Sequence, residues 1–399
     1  MSNTLYIDGK WTSPVEGHTW NVNSPADGHL VATVAEATNA DVDLAISAAR
    51  RAFDSGEFPN WGFAKRSELV AKIADLMERD LKILAKLESD DTGKRLIEAE
   101  YDIADVIACF RHFAKLGKRE HERKVEIAQS NIDSRVVHEP VGVCTLIGPW
   151  NYPLLQVSWK VAPALVAGCT FIVKPAELTP STAIHLFKLI DEAGVPAGVA
   201  NLILGKGSEI GDALTSDPRV DLVSFTGSLA IGQRIMSLAS KTIKKVALEL
   251  GGKNPNVIFA DADLDAAIDN AVTAGFLHSG QVCSAGTRLI VESSIHDQVV
   301  NEIVRRAKLI KVGGPNDPST ETGPLISASH LGKVNEYVKK AVDEGAKLLI
   351  GGAPLTDGDY AKGHFFPPTV LDNCNTKIDR KSTRLNSSHS SVSRMPSSA

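Results

Sequence analysis

Apolar residues recur at helical spacing through the first part of the chain. Val42, Ala45, Ile46, Ala49 and Phe53 fall at i, i+3, i+4, i+7 and i+11 behind Thr38 and Asp41. That pattern predicts a helix opened by a capping pair. Leu69, Ile73, Leu76, Leu84 and Leu87 continue a second helix, and Ile103, Val106, Ile107 and Phe110 mark a third. Residues 1–40 read instead as short strands and turns, with turn signals at Asp8-Gly9 and in NSPADG. Lys124 to Val143 reads as two extended segments around a polar turn, an arm leaving the globule.

Between Val141 and Gly252 the pattern becomes regular. Apolar runs at VGVCTLI, TFIVK, ANLIL, VDLVSF and KVALEL alternate with helical stretches such as Thr182 to Ala193 and Ser228 to Ala239. Near-continuous apolar runs suit strands buried on both faces of a parallel sheet, with the helices as crossovers. The reading is a doubly wound α/β domain of the dinucleotide-binding type. A second α/β unit follows: strand NVIF, helix Asp263 to His278, strand TRLIVE, then helices at 294–309 and 329–344. No internal repeat is visible.

Length agrees with this division, because 399 residues suggest two or three domains at roughly 150 residues each. A formal net charge of −5 argues against nucleic-acid binding through bulk charge. The five cysteines, Cys109, Cys144, Cys169, Cys283 and Cys374, are scattered and form no CxxC pair. A disulfide framework and a clustered thiolate zinc site are both disfavoured, which points to a reducing compartment. No apolar run approaches the roughly 20 residues that span a bilayer, and the N-terminus lacks a signal-peptide core. The expected location is cytoplasmic. From Arg380 to Ala399 the text changes: eight of the twenty residues are Ser, four are Lys or Arg, and none is acidic. Such a segment is expected to be disordered, and its abrupt start suggests a foreign extension joined to a truncated gene.

The familiar signatures HExxH, GxSxG and GxxxxGK[ST] are absent. The glycines Gly205, Gly207 and Gly211 follow ANLIL and open a helix, but their spacing departs from GxGxxG. SFTGS places Gly227 and Ser228 at another helix N-terminus, where free N–H groups favour an anion such as a pyrophosphate. A plain βα turn explains the same residues. Lys174 and Glu177 in VKPAE lie past a strand end. A carboxylate there accepts from two vicinal ribose hydroxyls and repels a 2′-phosphate, which favours NAD over NADP; a solvated ion pair is the simpler alternative. Cys283 in SGQVCSAG reads as a buried thiol or a nucleophile, and Glu249 in LELGGK as a capped carboxylate or a base. Asn151 in GPWNYP follows a strand, where its amide can donate to a developing oxyanion.

Taken together, GPWNYPL, VKPAELTP, SFTGS, LELGGKNP and GQVCSAG stand in the order and at about the intervals of the aldehyde dehydrogenase superfamily. The chain resembles that family from about Leu5 to Asp379. The resemblance implies an NAD-binding domain over 1–123 and 144–250, an oligomerisation arm at 124–143 and a catalytic domain over 251–379, with homodimers or homotetramers. It implies Cys283 as the nucleophile, Asn151 and the Cys283 backbone N–H as oxyanion donors, and Glu249 as the base that hydrolyses a thioester. Lys174, Glu177, Gly207, Gly211, Gly227 and Ser228 would hold NAD.

The wording around the nucleophile resembles the betaine aldehyde branch, where aromatics at the positions of Tyr152 and Trp159 help cage a trimethylammonium group. The two are seven residues apart, two turns of a helix starting near Asn151, so both rings are expected on one face. Core packing explains that spacing equally well. Leu277 departs from the branch, since its place is often aromatic. ω-Aminoaldehydes and other aliphatic aldehydes are the competing substrates. A cofactor-independent cysteine esterase and an inactive NAD-binding fragment are the alternatives from other classes. Family members continue with an ExFGP segment that is missing here, so the chain is expected to be truncated and inactive or poorly soluble as written.

Overall fold

The structure, a computed structural model, describes residues 4–119, 122–127 and 131–374, with the backbone of 391–394. The chain opens on the hairpin β1 (Leu5–Ile7) and β2 (Lys10–Thr12), then the pair β3 (Thr19–Asn23) and β4 (Leu30–Ala35). Asp8 and Gly9 both have positive φ (53° and 74°), as the expected Asp-Gly hairpin turn requires. Four helices follow: α1 (Asn39–Asp54), α2 (Phe63–Arg79), α3 (Leu81–Thr92) and α4 (Leu96–Leu116). The capping pair is present, with the Thr38 N–H donating to Asp41 at 2.8 Å. The single helix predicted over Leu69 to Leu87 is two, broken at Asp80. Its carboxylate is held by Arg79 and by His185, so the break is fixed by polar contacts that apolar periodicity cannot report.

The segment after α4 contains a short exposed strand pair, β5 (Arg123–Lys124) against β6 (Arg135–Val136). The chain then alternates: β7 (Val143–Ile147), α5 (Pro153–Ala167), β8 (Thr170–Lys174), α6 (Ser181–Ala193), β9 (Ala200–Leu202), α7 (Gly207–Ser216), β10 (Leu222–Gly227), α8 (Leu229–Ala239) and β11 (Lys245–Leu250). These strands are parallel and lie in the order β11-β10-β7-β8-β9, with the β1-β2 hairpin added antiparallel at the β9 edge. α1, α7 and α8 cover one face; α5 and α6 cover the other, with α2, α3 and α4 packed outside them. Strand order reverses between β7 and β10. Open α/β sheets bind ligands at such a switch point, beyond the carboxyl ends of the strands.

β7, β8 and β9 are buried at every position, as their sequences predict. KVALEL is different. β11 is the sheet edge, and Val246, Leu248 and Leu250 pack inward while Lys245, Ala247 and Glu249 are exposed. Among the described residues, α8 is the helix that packs on this strand, and its alternate positions are exposed, so the expectation of burial on both faces is corrected.

The second unit contains β12 (Pro255–Ile258), α9 (Leu264–Phe276), β13 (Arg288–Val291), α10 (His296–Ala307), α11 (Ala328–Asp343), β14 (Lys347–Ile350) and β15 (Val370–Cys374). Its sheet order is β12-β13-β16-β15-β14, where β16 is Ser391–Arg394. Four residues of the tail expected to be disordered are thus a strand, parallel to both neighbours. The cause lies in the backbone: a slot between two strands offers unpaired N–H and C=O groups on both sides, which any extended segment can satisfy. The rest of 380–399, and the disorder expected of it, lies outside the described residues.

Candidate active site

A cavity of 680 Å³ opens beyond the carboxyl ends of β7, β8, β10 and β11, and ten of the eleven residues singled out in the sequence line it. Asn151 and Trp159 come from the β7–α5 connection and α5; Lys174 ends β8 and Glu177 follows it; Gly207 and Gly211 lie in the first turns of α7. Gly227 ends β10, Ser228 caps α8, Glu249 ends β11, and Cys283 enters on a turn before β13. Tyr152 is the exception. It is the residue before α5, with φ −130° and ψ 69°, so the helical spacing to Trp159 does not apply to it. Its ring lies against His278, centroids 5.5 Å apart, with the Lys94 Nζ 4.4 Å from its centroid. Trp159, 47% exposed, lines the cavity without it.

Cys283 is exposed. Its loop is held mostly by hydrogen bonds. The Asn254 Nδ2 donates to the Cys283 carbonyl at 2.8 Å, and the Ile326 N–H donates to Gln281 Oε1 at 3.0 Å. Two residues of positive φ precede the loop, His278 (49°) and Ser279 (55°), a region costly for residues other than glycine. They are pinned by donation from the His278 N–H to Glu98 Oε1 at 3.3 Å and from Ser279 Oγ to the Gly323 carbonyl at 2.7 Å. Asn151 ties the opposite wall to this loop, because its Nδ2 donates to the Gln281 carbonyl at 2.8 Å. An amide nitrogen carries two N–H donors, so one remains for a ligand oxygen.

At the other end of the cavity, Lys174 is buried, and burial lowers its pKa against the raising effect of Glu177. Its Nζ lies 3.5 Å from Glu177 Oε2 and donates to the Pro175 carbonyl at 3.1 Å. A buried ammonium and a half-exposed carboxylate thus stand beside the N-terminus of α7. Ser228 caps α8 and accepts from the Ile231 N–H at 3.4 Å. A Cβ at Gly227 would meet the Phe225 ring at 2.4 Å, so a larger residue there would force that ring to move. An elongated ligand with ribose hydroxyls and phosphates suits this donor set.

Sequence reasoning missed Lys160, Asn254, His330 and Lys333. Lys160 is 6% exposed and donates to Ser224 Oγ at 3.1 Å. Burial pushes its pKa down to about 8, while the nearby Glu249 charge opposes the shift. A lysine in an apolar helix carries no such signal in sequence. Asn254 stood inside LELGGKNP, where its amide could have been singled out. His330 and Lys333 reach the cavity from α11; burial holds His330 down near 4, and its ring lies 5.2 Å from that of Trp150.

The aldehyde dehydrogenase family profile matches residues 11–381. The betaine aldehyde dehydrogenase of Bacillus subtilis (strain 168) is 50% identical over 378 residues, which cover 95% of this chain and 77% of that protein. The human retinal dehydrogenase 2 is 43% identical over 372 residues, 92% of this chain and 71% of that one. A crystal structure of the Staphylococcus aureus betaine aldehyde dehydrogenase in complex with NAD+ superposes with a TM-score of 0.97 at 43% identity, covering 100% of this chain and 79% of that one. The chain belongs to the aldehyde dehydrogenase family.

Proposed function

We propose that the chain, against the inactivity expected from its sequence, oxidises betaine aldehyde to glycine betaine with NAD as hydride acceptor. The observation that carries this reading is the single cavity in which Cys283, Asn151 and Glu249 share a wall with Lys174, Glu177, Gly207, Gly211, Gly227 and Ser228. The Cys283 thiolate adds to the aldehyde carbon, and the oxygen takes up charge beside Asn151 Nδ2 and the Cys283 N–H. NAD, when bound, accepts the hydride and leaves the carbon at the acid oxidation level. The resulting thioester on Cys283 is attacked by water that gives its proton to Glu249. Lys174 and Glu177 hold the adenosine ribose, and the N-termini of α7 and α8 face the phosphates.

Half identity to a betaine aldehyde dehydrogenase supports a trimethylammonium substrate, as does the exposed Trp159 ring in the cavity. The human retinal enzyme shows that the family also takes neutral aldehydes. The test compares betaine aldehyde with 3,3-dimethylbutanal, its neutral isostere. One desolvated cation–π contact is worth about 2 kcal/mol, so kcat/KM is expected to favour the cation by about tenfold or more. Equal values would reject the trimethylammonium reading, and a preference for ω-aminoaldehydes would select that competitor.

The same proposal assigns 1–123 with 144–250 to the cofactor domain, 124–143 to an oligomerisation arm and 251–379 to the catalytic domain. Separate core clusters support the division, one drawn from Leu5 to Ile235 and another from Ile258 to Val370. The arm exposes Ile127, Ile132, Val136 and Val137, which supports a homodimer or homotetramer. Light scattering tests it. No described helix is long and apolar enough to cross a membrane, and five free cysteines support a cytoplasmic location.

A further inference from the structure

Behind the Asn151 wall lies a polar cluster that the reaction above does not use. Lys94 is 1% exposed, among the largest fully buried side chains. It follows Gly93, which ends α3 with φ 73°. A Cβ at Gly93 would meet Pro324 at 2.5 Å and Pro25 at 2.8 Å, so the turn is packed on both sides. The lysine main chain is bonded as well: Ser89 Oγ donates to the Lys94 carbonyl at 2.8 Å. Its ammonium therefore has little freedom, and it has defined partners. It is ion-paired with Asp102 and lies 3.6 Å from Glu88 Oε1. It donates to the main-chain carbonyl of Asn151 at 3.1 Å and sits over the Tyr152 ring.

Asn151 is thereby held at both ends, by Lys94 at its carbonyl and by the Gln281 carbonyl at its amide. Asp102 and Glu88 orient the ammonium from the far side. We propose that Lys94 is a positioning residue for the oxyanion donor: its buried ammonium fixes the Asn151 main chain, and through it the aim of the side-chain amide. Lys94 touches no reacting atom. The inference rests on the proposed role of Asn151. Misplacement of about 1 Å at a catalytic group can cost about 10²-fold in rate, so one hydrogen bond to the donor's own backbone has enough leverage to be read in turnover.

The test is a double-mutant cycle between Lys94→Met and Asn151→Ala, with turnover divided by the folded fraction read from circular dichroism so that unfolded chains are not counted. Lys94→Met alone is expected to lower kcat about 10- to 100-fold with KM changed much less. In the Asn151→Ala background the same substitution is expected to change kcat less than about twofold, because residues acting through one another are not additive. Full additivity, or unchanged kcat in Lys94→Met, overturns the proposal. If Asn151→Ala itself keeps its turnover, the oxyanion reading fails instead. Should Lys94→Met not fold, Lys94→Gln replaces it in the cycle; it removes the charge but retains a donor, and a smaller loss is expected that again disappears with Asn151→Ala. Unchanged kcat or additivity there overturns the proposal equally.

Discussion

The two walls of the cleft are built by different means. On the β7 side, every residue of β7, β8 and β9 is buried, and the core they share runs from Leu5 to Ile235. On the Cys283 side, β12 and β14 carry exposed positions, the apolar clusters are small, and Val257, Phe259, Leu277 and Leu348 are exposed. Apolar packing fixes the strands that carry the cofactor end, while Asn151 itself is held by Lys94 and the Gln281 carbonyl. The nucleophile depends instead on hydrogen bonds donated by Asn254 and Ser279 and accepted by Gln281 and Glu98. One wall resists deformation through its volume; the other holds its shape through a handful of polar contacts.

Truncating a phenylalanine on each side tests this contrast most severely. Phe171→Ala in β8, fully buried, should cost about 3–5 kcal/mol of unfolding free energy, whereas exposed Phe259→Ala should stay within about 0.5 kcal/mol. Urea unfolding measures both, and equal losses would erase the distinction. Asn151→Ala should lower kcat about 10²–10³-fold with little change in stability, read from steady-state rates at saturating aldehyde.

The buried wall also carries a pH signature. Burial raises the Glu88 carboxyl from 4.5 to about 7. Between those values the folded chain holds a proton that the unfolded chain has released, so stability falls as pH rises through this window and levels off above it. The loss from Glu88 is on the order of 3 kcal/mol, and Glu88→Gln should remove that share of the slope in denaturation measured across pH, leaving the share of Asp91, which burial raises from 3.8 to about 8. A Glu88→Gln variant with the native slope would assign the effect elsewhere. The smallest effect belongs to the hydrogen-bonded wall: Asn254→Ala removes one bond, worth about 1 kcal/mol, and should lower kcat about fivefold by loosening the Cys283 carbonyl. An unchanged rate would show that the loop is held without it.

Much of this architecture was legible because buried strands and strand-end motifs carry strong local signals. TFIVK and VGVCTLI announce themselves, and the residues after each strand necessarily gather at one end of a parallel sheet. That geometry gathers most of the ten site residues named from the sequence in one cavity, to which α5 adds Trp159 and the turn before β13 adds Cys283. Contacts between distant segments were not legible. The break at Asp80 depends on His185, 105 residues away; the buried state of Lys160 depends on two strands; and Tyr152 turns toward Lys94 and His278 because α5 begins one residue after it. The exposed face of β11 follows from its place at the sheet edge, which its own composition does not encode.

The central claim is that Cys283 and the cofactor residues act in one cavity on one aldehyde. It is tested most directly by mixing the protein with NAD and betaine aldehyde and following nicotinamide absorbance in a single turnover, beside Cys283→Ala. The expected result is one NADH formed per titratable Cys283 and none in the variant. NADH produced equally by Cys283→Ala would contradict the account, as would thiol-dependent ester cleavage by the native chain with no NADH from the aldehyde.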